Sequence, residues 1–116
     1  MSDDSNNEEF DENLHIPTDD DLWKTLPELE GEKKADTLLY LAMGTFKPHA
    51  GYTSIALAEE CIAIYKGCGF GNEHWNTAFA YAALAENRAF VGDFKGALQA
   101  VQHAMPILMT FDEHRY

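Results

Sequence analysis

Basic residues are scarce in this sequence. Only 8 Lys and Arg stand against 20 Asp and Glu, and the formal net charge of the 116 residues is −12. Proteins that bind DNA or RNA need clustered Lys and Arg to neutralise the phosphates of the backbone. The composition therefore predicts no direct contact with nucleic acid.

Long apolar runs are also missing. No stretch approaches the roughly 20 apolar residues that a membrane-spanning helix needs, and no basic region followed by an apolar run marks a secretory signal. Neither a myristoylation nor a prenylation motif is present. We therefore expect no membrane association and a cytoplasmic location.

Cysteine occurs only at Cys61 and Cys68. On one helix, a spacing of seven residues separates the two by about 10 Å along the axis, which exceeds the roughly 7 Å between Cα atoms that a disulfide allows. A zinc site at Cys68 and His74 would lack two further ligands, so we expect no metal and no cofactor. Because no nucleophile, base and orienting group converge in the sequence, we also expect a protein that is not an enzyme.

The acidic residues are concentrated at the N-terminus. Residues 1–22 contain nine Asp and Glu and no Lys or Arg. Residues 1–17 have too few apolar side chains to offset the entropy lost on folding, so they are predicted to be a disordered acidic tail. The simpler interpretation is a solvated extension, and the alternative is an arm that folds on a partner.

Hydrophobic periodicity predicts an all-α domain over residues 18–116. Thr18 followed by three Asp predicts a short N-terminal helix within residues 18–29. Four longer helices are predicted over residues 30–46, 53–66, 72–91 and 94–109. Gly- and Pro-rich turns separate them, and Pro106 should bend or end the last helix. No segment has the alternation of a strand, so antiparallel helical neighbours are expected.

The two pairs of longer helices match one another at an offset of 43 residues, with Leu41-Ala42 corresponding to Leu84-Ala85. The other matched pairs are Ala35 with Ala78, Ser54 with Ala97, Ala58 with Val101, Cys61 with Ala104, and Ile64 with Ile107. Small residues let two helix backbones approach to about 8–10 Å. The pattern predicts two copies of one hairpin, residues 30–66 and 72–109, that cross at Ala42 with Ser54 and at Ala85 with Ala97.

The second copy resembles a tetratricopeptide repeat (TPR). The residues that fit the repeat are Tyr81, Leu84 and Ala85 in its first helix, Gly92-Asp93-Phe94 in its turn, and Ala97, Val101 and Ala104 in its second helix. The first copy fits through Leu38, Leu41, Ala42, Ser54, Ala58 and Cys61. The resemblance implies antiparallel hairpins stacked as a short right-handed solenoid.

The resemblance also implies that the first helix of each copy lines a concave groove that binds another protein. The residues expected to line this groove are Leu39, Met43, Phe46, Lys47, Phe79, Glu86 and Phe90. An apolar groove favours an amphipathic helix or an extended hydrophobic segment as its ligand. Alternatively, the N-terminal helix covers these residues and they belong to the core.

The C-terminal end is unusually apolar for a solenoid, whose last helix normally has a polar outer face. Ile107, Leu108 and Phe111 are therefore expected to be covered by a partner protein, by helix packing, or by a second copy in a homodimer. A different class of function follows from the tail. An acidic inhibitor could imitate nucleic acid and bind a basic, nucleic-acid-binding protein.

Overall fold

The part of the chain that the structure describes, residues 18–70 and 74–114, is helical and contains no strand. The structure is a computed structural model, with side chains through Thr110. Within the described ranges, the five α-helices are α1 (Asp19–Thr25), α2 (Gly31–Ala42), α3 (Tyr52–Gly67), α4 (Trp75–Phe90) and α5 (Phe94–His114), and a 3-10 turn over Leu26–Glu28 follows α1. The all-α prediction is confirmed, and the predicted tail, residues 1–17, lies outside the described residues.

Helix α1 begins with a reciprocal cap. The hydroxyl of Thr18 accepts a hydrogen bond from the backbone N–H of Asp21 at 3.2 Å, and the Asp21 carboxylate accepts one from the N–H of Thr18 at 3.0 Å. Both donors would otherwise be unsatisfied at a helix start. The predicted N-cap at Thr18 is confirmed.

Two helix ends differ from the predictions. Helix α2 ends at Ala42 rather than Phe46. Its C-cap residue Met43 is already extended, with φ −71° and ψ 138°, and Gly44 follows with a positive φ of 83°. Helix α5 passes through Pro106 and reaches His114, so the proline does not end it. Pro106 is exposed, and water can satisfy the carbonyl group that its missing N–H leaves without a partner.

The four longer helices pack in sequence order. Helix α2 packs against α3, α3 against α4 and α4 against α5, while α2 also touches α4. Of the residues predicted to lie at the two helix crossings, Ala42 and Ser54 are fully buried, Ala85 is buried and Ala97 is half-buried. Small side chains at such positions are what close helix packing requires.

Helix α1 and its 3-10 turn pack against α2. Leu22, Trp23 and Leu26 are partly buried against the core. The Trp23 ring meets the ring of His49 edge to face at 5.3 Å, and Asp19 forms an ion pair with Lys47 at 3.8 Å. The four longer helices thus form a row from α2 to α5, and α1 with its 3-10 turn covers part of the end that α2 occupies.

Asn87 on α4 has the most connected polar side chain in the core. Its amide nitrogen donates hydrogen bonds to the carbonyl oxygens of Ala42 at 2.9 Å and Ala83 at 3.0 Å. Its amide oxygen accepts one from the N–H of Gly51 at 2.9 Å. Because Ala42 ends α2 and Gly51 caps α3, this single side chain joins the turn of the first hairpin to the second hairpin.

Other side chains hold the same turn, residues 43–51. The Glu86 carboxylate accepts a hydrogen bond from the N–H of Gly44 at 3.1 Å. Nε2 of His49 lies 2.7 Å from the carbonyl oxygen of Leu41, and the Ser54 hydroxyl donates to the carbonyl of His49 at 3.1 Å. The turn thus has a defined conformation without secondary structure of its own.

No helix in the described part of the chain combines the length and the hydrophobicity that crossing a bilayer requires.

Replacement of Asn87 by Ala should destabilise the fold. The buried N–H of Gly51 and carbonyl of Ala42 would lose their partner, and each loss costs about 1–3 kcal/mol. We expect the free energy of unfolding, measured by urea denaturation, to fall by about 2–4 kcal/mol. Gln102→Ala removes an exposed amide from α5 and should change it by less than about 0.5 kcal/mol. Equal effects of the two substitutions would contradict the role of Asn87.

Candidate protein-interaction surfaces

Helix α4 is buried on most sides and exposes one aromatic stripe. Trp75, Phe79, Glu86 and Phe90 are exposed and Ala82 is half-buried, and these residues recur every three or four positions. The rings of Trp75 and Phe79 lie 5.9 Å apart. Exposed aromatic side chains in a row are uncommon on the surface of a monomer and indicate a contact site.

Helix α2 extends this surface through Tyr40 and Met43, both about half exposed at 54% and 46%. The hydrogen bond from the N–H of Gly44 to Glu86 ties the end of α2 to the middle of the α4 stripe. Six exposed residues from the end of α2 and from α4 are called here the α2/α4 face. They are Tyr40, Met43, Trp75, Phe79, Glu86 and Phe90.

Most of the residues predicted to line a groove are exposed on the α2/α4 face, and Leu39 is not. Met43, Phe79, Glu86 and Phe90 belong to the face, whereas Leu39 is 8% exposed and packs in the core. Its neighbour Tyr40 takes the exposed position. Phe46 is fully exposed, and it lies in the turn after α2 because the helix ends early.

Lys47 is engaged within the molecule. Its ammonium group donates a hydrogen bond to the carbonyl oxygen of Tyr40 at 2.7 Å and lies 4.6 Å from the centre of the Tyr40 ring. It also pairs with Asp19 of α1. Lys47 therefore holds α1 and the turn after α2 against α2. Its ammonium group is engaged in these internal contacts, whereas the sequence predicts that it lines a ligand-binding groove.

The N-terminal helix leaves the α2/α4 face open. Leu22, Trp23 and Leu26 pack on the core, yet Met43 and Phe90 stay about half exposed. The alternative prediction, in which the N-terminal helix buries the groove residues, does not hold for these side chains.

A second apolar surface runs along α5. We call it the α5 stripe, and its residues are Phe94, Leu98, Val101, Met105 and Leu108, all exposed. Successive members are four, three, four and three positions apart, which keeps them on one side of the helix. Sequence periodicity alone does not distinguish this spacing from that of the core residues of α5, because both sides of the helix are apolar.

The core side of α5 consists of Ala100, Ala104 and Ile107. Of the three residues expected to support self-association, Ile107 is therefore buried against α4 at 4% exposure, and Leu108 is exposed on the α5 stripe. The side chain of Phe111 lies outside the described residues.

Two titratable side chains of α3 are buried against α2. The Cys61 thiol donates a hydrogen bond to the carbonyl oxygen of Ala35 at 3.2 Å, and the Tyr65 hydroxyl donates one to the Asp36 carboxylate. Burial, with the nearby carboxylates of Asp36 and Glu60, raises the pKa of Cys61 to about 12. Burial and the bond to Asp36 also raise the pKa of Tyr65. Both groups stay protonated at neutral pH, and their geometry serves packing rather than nucleophilic attack.

The turn before α4 ends in a capping histidine. Nδ1 of His74 accepts a hydrogen bond from the N–H of Asn76 at 3.1 Å, and the His74 ring stacks on Phe70 at 4.3 Å. Among the described residues, no three His, Cys, Asp or Glu side chains come together as metal ligands. Residues 71–73 of this turn lie outside the described residues.

No family model matches the chain, and its comparison with curated proteins and with solved structures finds no match. Function must therefore be inferred from the two exposed surfaces.

The two cysteines should differ sharply in reactivity. Cys68 is exposed, whereas the buried Cys61 thiol has a pKa of about 12 and is almost entirely un-ionised at pH 8. We expect Ellman's reagent to titrate one thiol per folded chain at pH 8 and both thiols after unfolding in guanidinium chloride. Folded Cys68→Ser protein should show no rapidly reacting thiol, and rapid reaction in that variant would contradict the burial of Cys61.

Proposed function

We propose that this chain is a non-enzymatic protein-interaction module of the TPR type, whose α2/α4 face binds an amphipathic helix or an extended hydrophobic segment of another protein. The observation that carries the proposal is the α2/α4 face itself, an exposed aromatic surface built from the first helix of each hairpin.

The order of the helix contacts supports a TPR-type arrangement. Each helix packs on its neighbour in sequence, and the first helices of the two hairpins touch each other. The conformation of the turn between α4 and α5, where the resemblance places Gly92-Asp93-Phe94, also supports the proposal. Gly92 adopts a positive φ of 90°, and the Asp93 carboxylate accepts a hydrogen bond from the N–H of Gly96 at 2.9 Å, which caps α5.

Aromatic side chains suit the centre of a protein interface. They bury a large area at a small cost in conformational entropy, and they are enriched among the residues that dominate binding energy. On the α2/α4 face, Tyr40, Phe79 and Phe90 combine this chemistry with positions on helices. A surface held on packed helices loses little freedom on binding, which favours affinity.

Glu86 suggests the charge of the ligand. One of its carboxylate oxygens accepts the hydrogen bond from Gly44, and the side chain is exposed among aromatic residues. The net charge of −12 also attracts basic segments. We therefore expect a ligand segment with apolar side chains for the aromatic residues and a Lys or Arg for Glu86.

Phe90→Asp should weaken ligand binding without loss of helix. The probe is a 16-residue peptide selected on the wild-type protein from a displayed random library, then synthesised with a fluorophore. Loss of one central aromatic contact should raise the Kd at least about tenfold by fluorescence anisotropy, with the helical circular dichroism unchanged. The matched control is Tyr52→Asp, which changes a more exposed aromatic, 75% against 58% for Phe90, at the start of α3 and should leave the Kd within about twofold.

Glu86→Gln isolates the charge, because the amide oxygen of Gln can still accept the hydrogen bond from Gly44. Peptides that contain Lys or Arg should bind this variant more weakly and with less dependence on salt. Selected peptides that bind Phe90→Asp and wild type equally well would contradict the proposal, as would failure of the library to yield any binder. Unfolding by Phe90→Asp would place Phe90 in the core instead.

A further inference from the structure

We propose that two copies of this chain pair through their α5 stripes, with the two α5 helices antiparallel. This inference concerns a different surface from the α2/α4 face, and it stands or falls independently of the proposed function.

The α5 stripe faces the free end of the row of helices. On the opposite edge of α5, His103 stacks on Tyr81 at 4.8 Å, and the carbonyl oxygen of Gly96 accepts a hydrogen bond from Arg88 at 3.0 Å. Arg88 also pairs with Glu59 of α3 at 3.2 Å, so this edge is turned towards α3. His103 and Gly96 lie about half a helical turn from the α5 stripe, which is therefore turned away from α3.

The α2 end and the α5 end of the row differ in whether the chain itself covers them. The α2 end is covered by Leu22, Trp23 and Leu26 of the chain itself, whereas none of the described residues covers the α5 stripe. The covered α2 end disfavours head-to-tail stacking of copies along the row. Contact between the α5 stripes of two copies uses the same surface on each, which gives a closed two-fold dimer rather than a filament.

The spacing of the α5 stripe suits contact with another helix. Phe94, Leu98, Val101, Met105 and Leu108 alternate at four and three positions, which is the heptad pattern of helices that pack at a shallow angle. The side chains of these residues and of Met109 expose on the order of 500 Å² per copy, so their complete burial in a pair removes roughly 1,000 Å², which is about the minimum for a specific interface.

Charge explains why a second copy fits this surface despite the net charge of −12. From Phe94 to Thr110, Lys95 is the only charged residue of α5, so two copies meet where acidic residues are absent. Lys95 lies at the start of the helix. Antiparallel pairing keeps the two Lys95 side chains apart, towards opposite ends of the pair, and also opposes the two helix dipoles. Parallel pairing would place Lys95 beside Lys95.

The first test is the mass of the wild-type chain in solution. Size-exclusion chromatography with light scattering at about 10–200 μM should give twice the chain mass of 13.0 kDa. The double variant Leu98→Glu with Met105→Glu should give the monomer mass with unchanged helical circular dichroism, because both residues are exposed. The control Phe46→Glu changes a fully exposed aromatic outside α5 and should remain dimeric. A monomeric wild type at 200 μM overturns the proposal, and so does a double variant that is folded and still dimeric.

The second test reads the orientation by disulfide cross-linking in a Cys68→Ser background. In an antiparallel pair centred near Val101, Val101→Cys should form a cross-linked dimer under oxidation. Phe94→Cys should not, because two copies of residue 94 would lie about 20 Å apart. Cross-linking at both positions would overturn the antiparallel arrangement, and cross-linking at neither would overturn the interface. Because this measurement uses no ligand, its outcome is separate from that of the peptide-binding experiment.

Discussion

The side chain of Asn87 supplies the constraint on which the arrangement of the two hairpins depends. Helix α2 ends at Ala42 and α3 begins at Tyr52, so the turn between them leaves backbone donors and acceptors that need partners. Asn87, on the second hairpin, satisfies one acceptor and one donor of that turn with good geometry. The first hairpin is thus completed by a residue that belongs to the second hairpin.

This dependence also produces the α2/α4 face. Asn87 and Glu86 are adjacent on α4, yet Asn87 points into the core and Glu86 lies on the surface. Both accept a hydrogen bond from the turn between α2 and α3: Asn87 from the buried N–H of Gly51, and Glu86 from the N–H of Gly44. A buried amide stabilises a single arrangement only when its bonds are all made, because an unsatisfied polar group costs more in the interior than in water. The position of Met43 relative to Phe90 is therefore tied to the packing of the core.

Sequence periodicity predicted the existence of the helices well and their exposed sides less well. The core residues of α2 repeat at helical spacing, but α2 touches both α3 and α4, and a pattern on one helix does not tell which edge remains free. For this reason the pattern predicts Leu39 in the groove, although Leu39 is buried in the core and its neighbour Tyr40 is exposed. Sequence periodicity does not identify the structural role of Asn87, because a single polar residue in an apolar helix forms no repeating pattern. On α5, core and surface are both apolar, so the pattern predicted one broad apolar helix, and only the packing of Ala100 and Ala104 on α4 separates the two sides.

The two surfaces differ in chemistry, and this difference makes them compatible. The α5 stripe is mostly aliphatic, with heptad spacing and almost no charge, which suits permanent contact between like helices. The α2/α4 face is aromatic around one carboxylate, which suits a ligand of different composition. Pairing through α5 would display two α2/α4 faces on one particle. A partner with two binding segments would then bind the second face at a high effective concentration, so modest affinity at each face would suffice for stable association. Dimerisation and recognition would in that case act as successive parts of one binding mechanism.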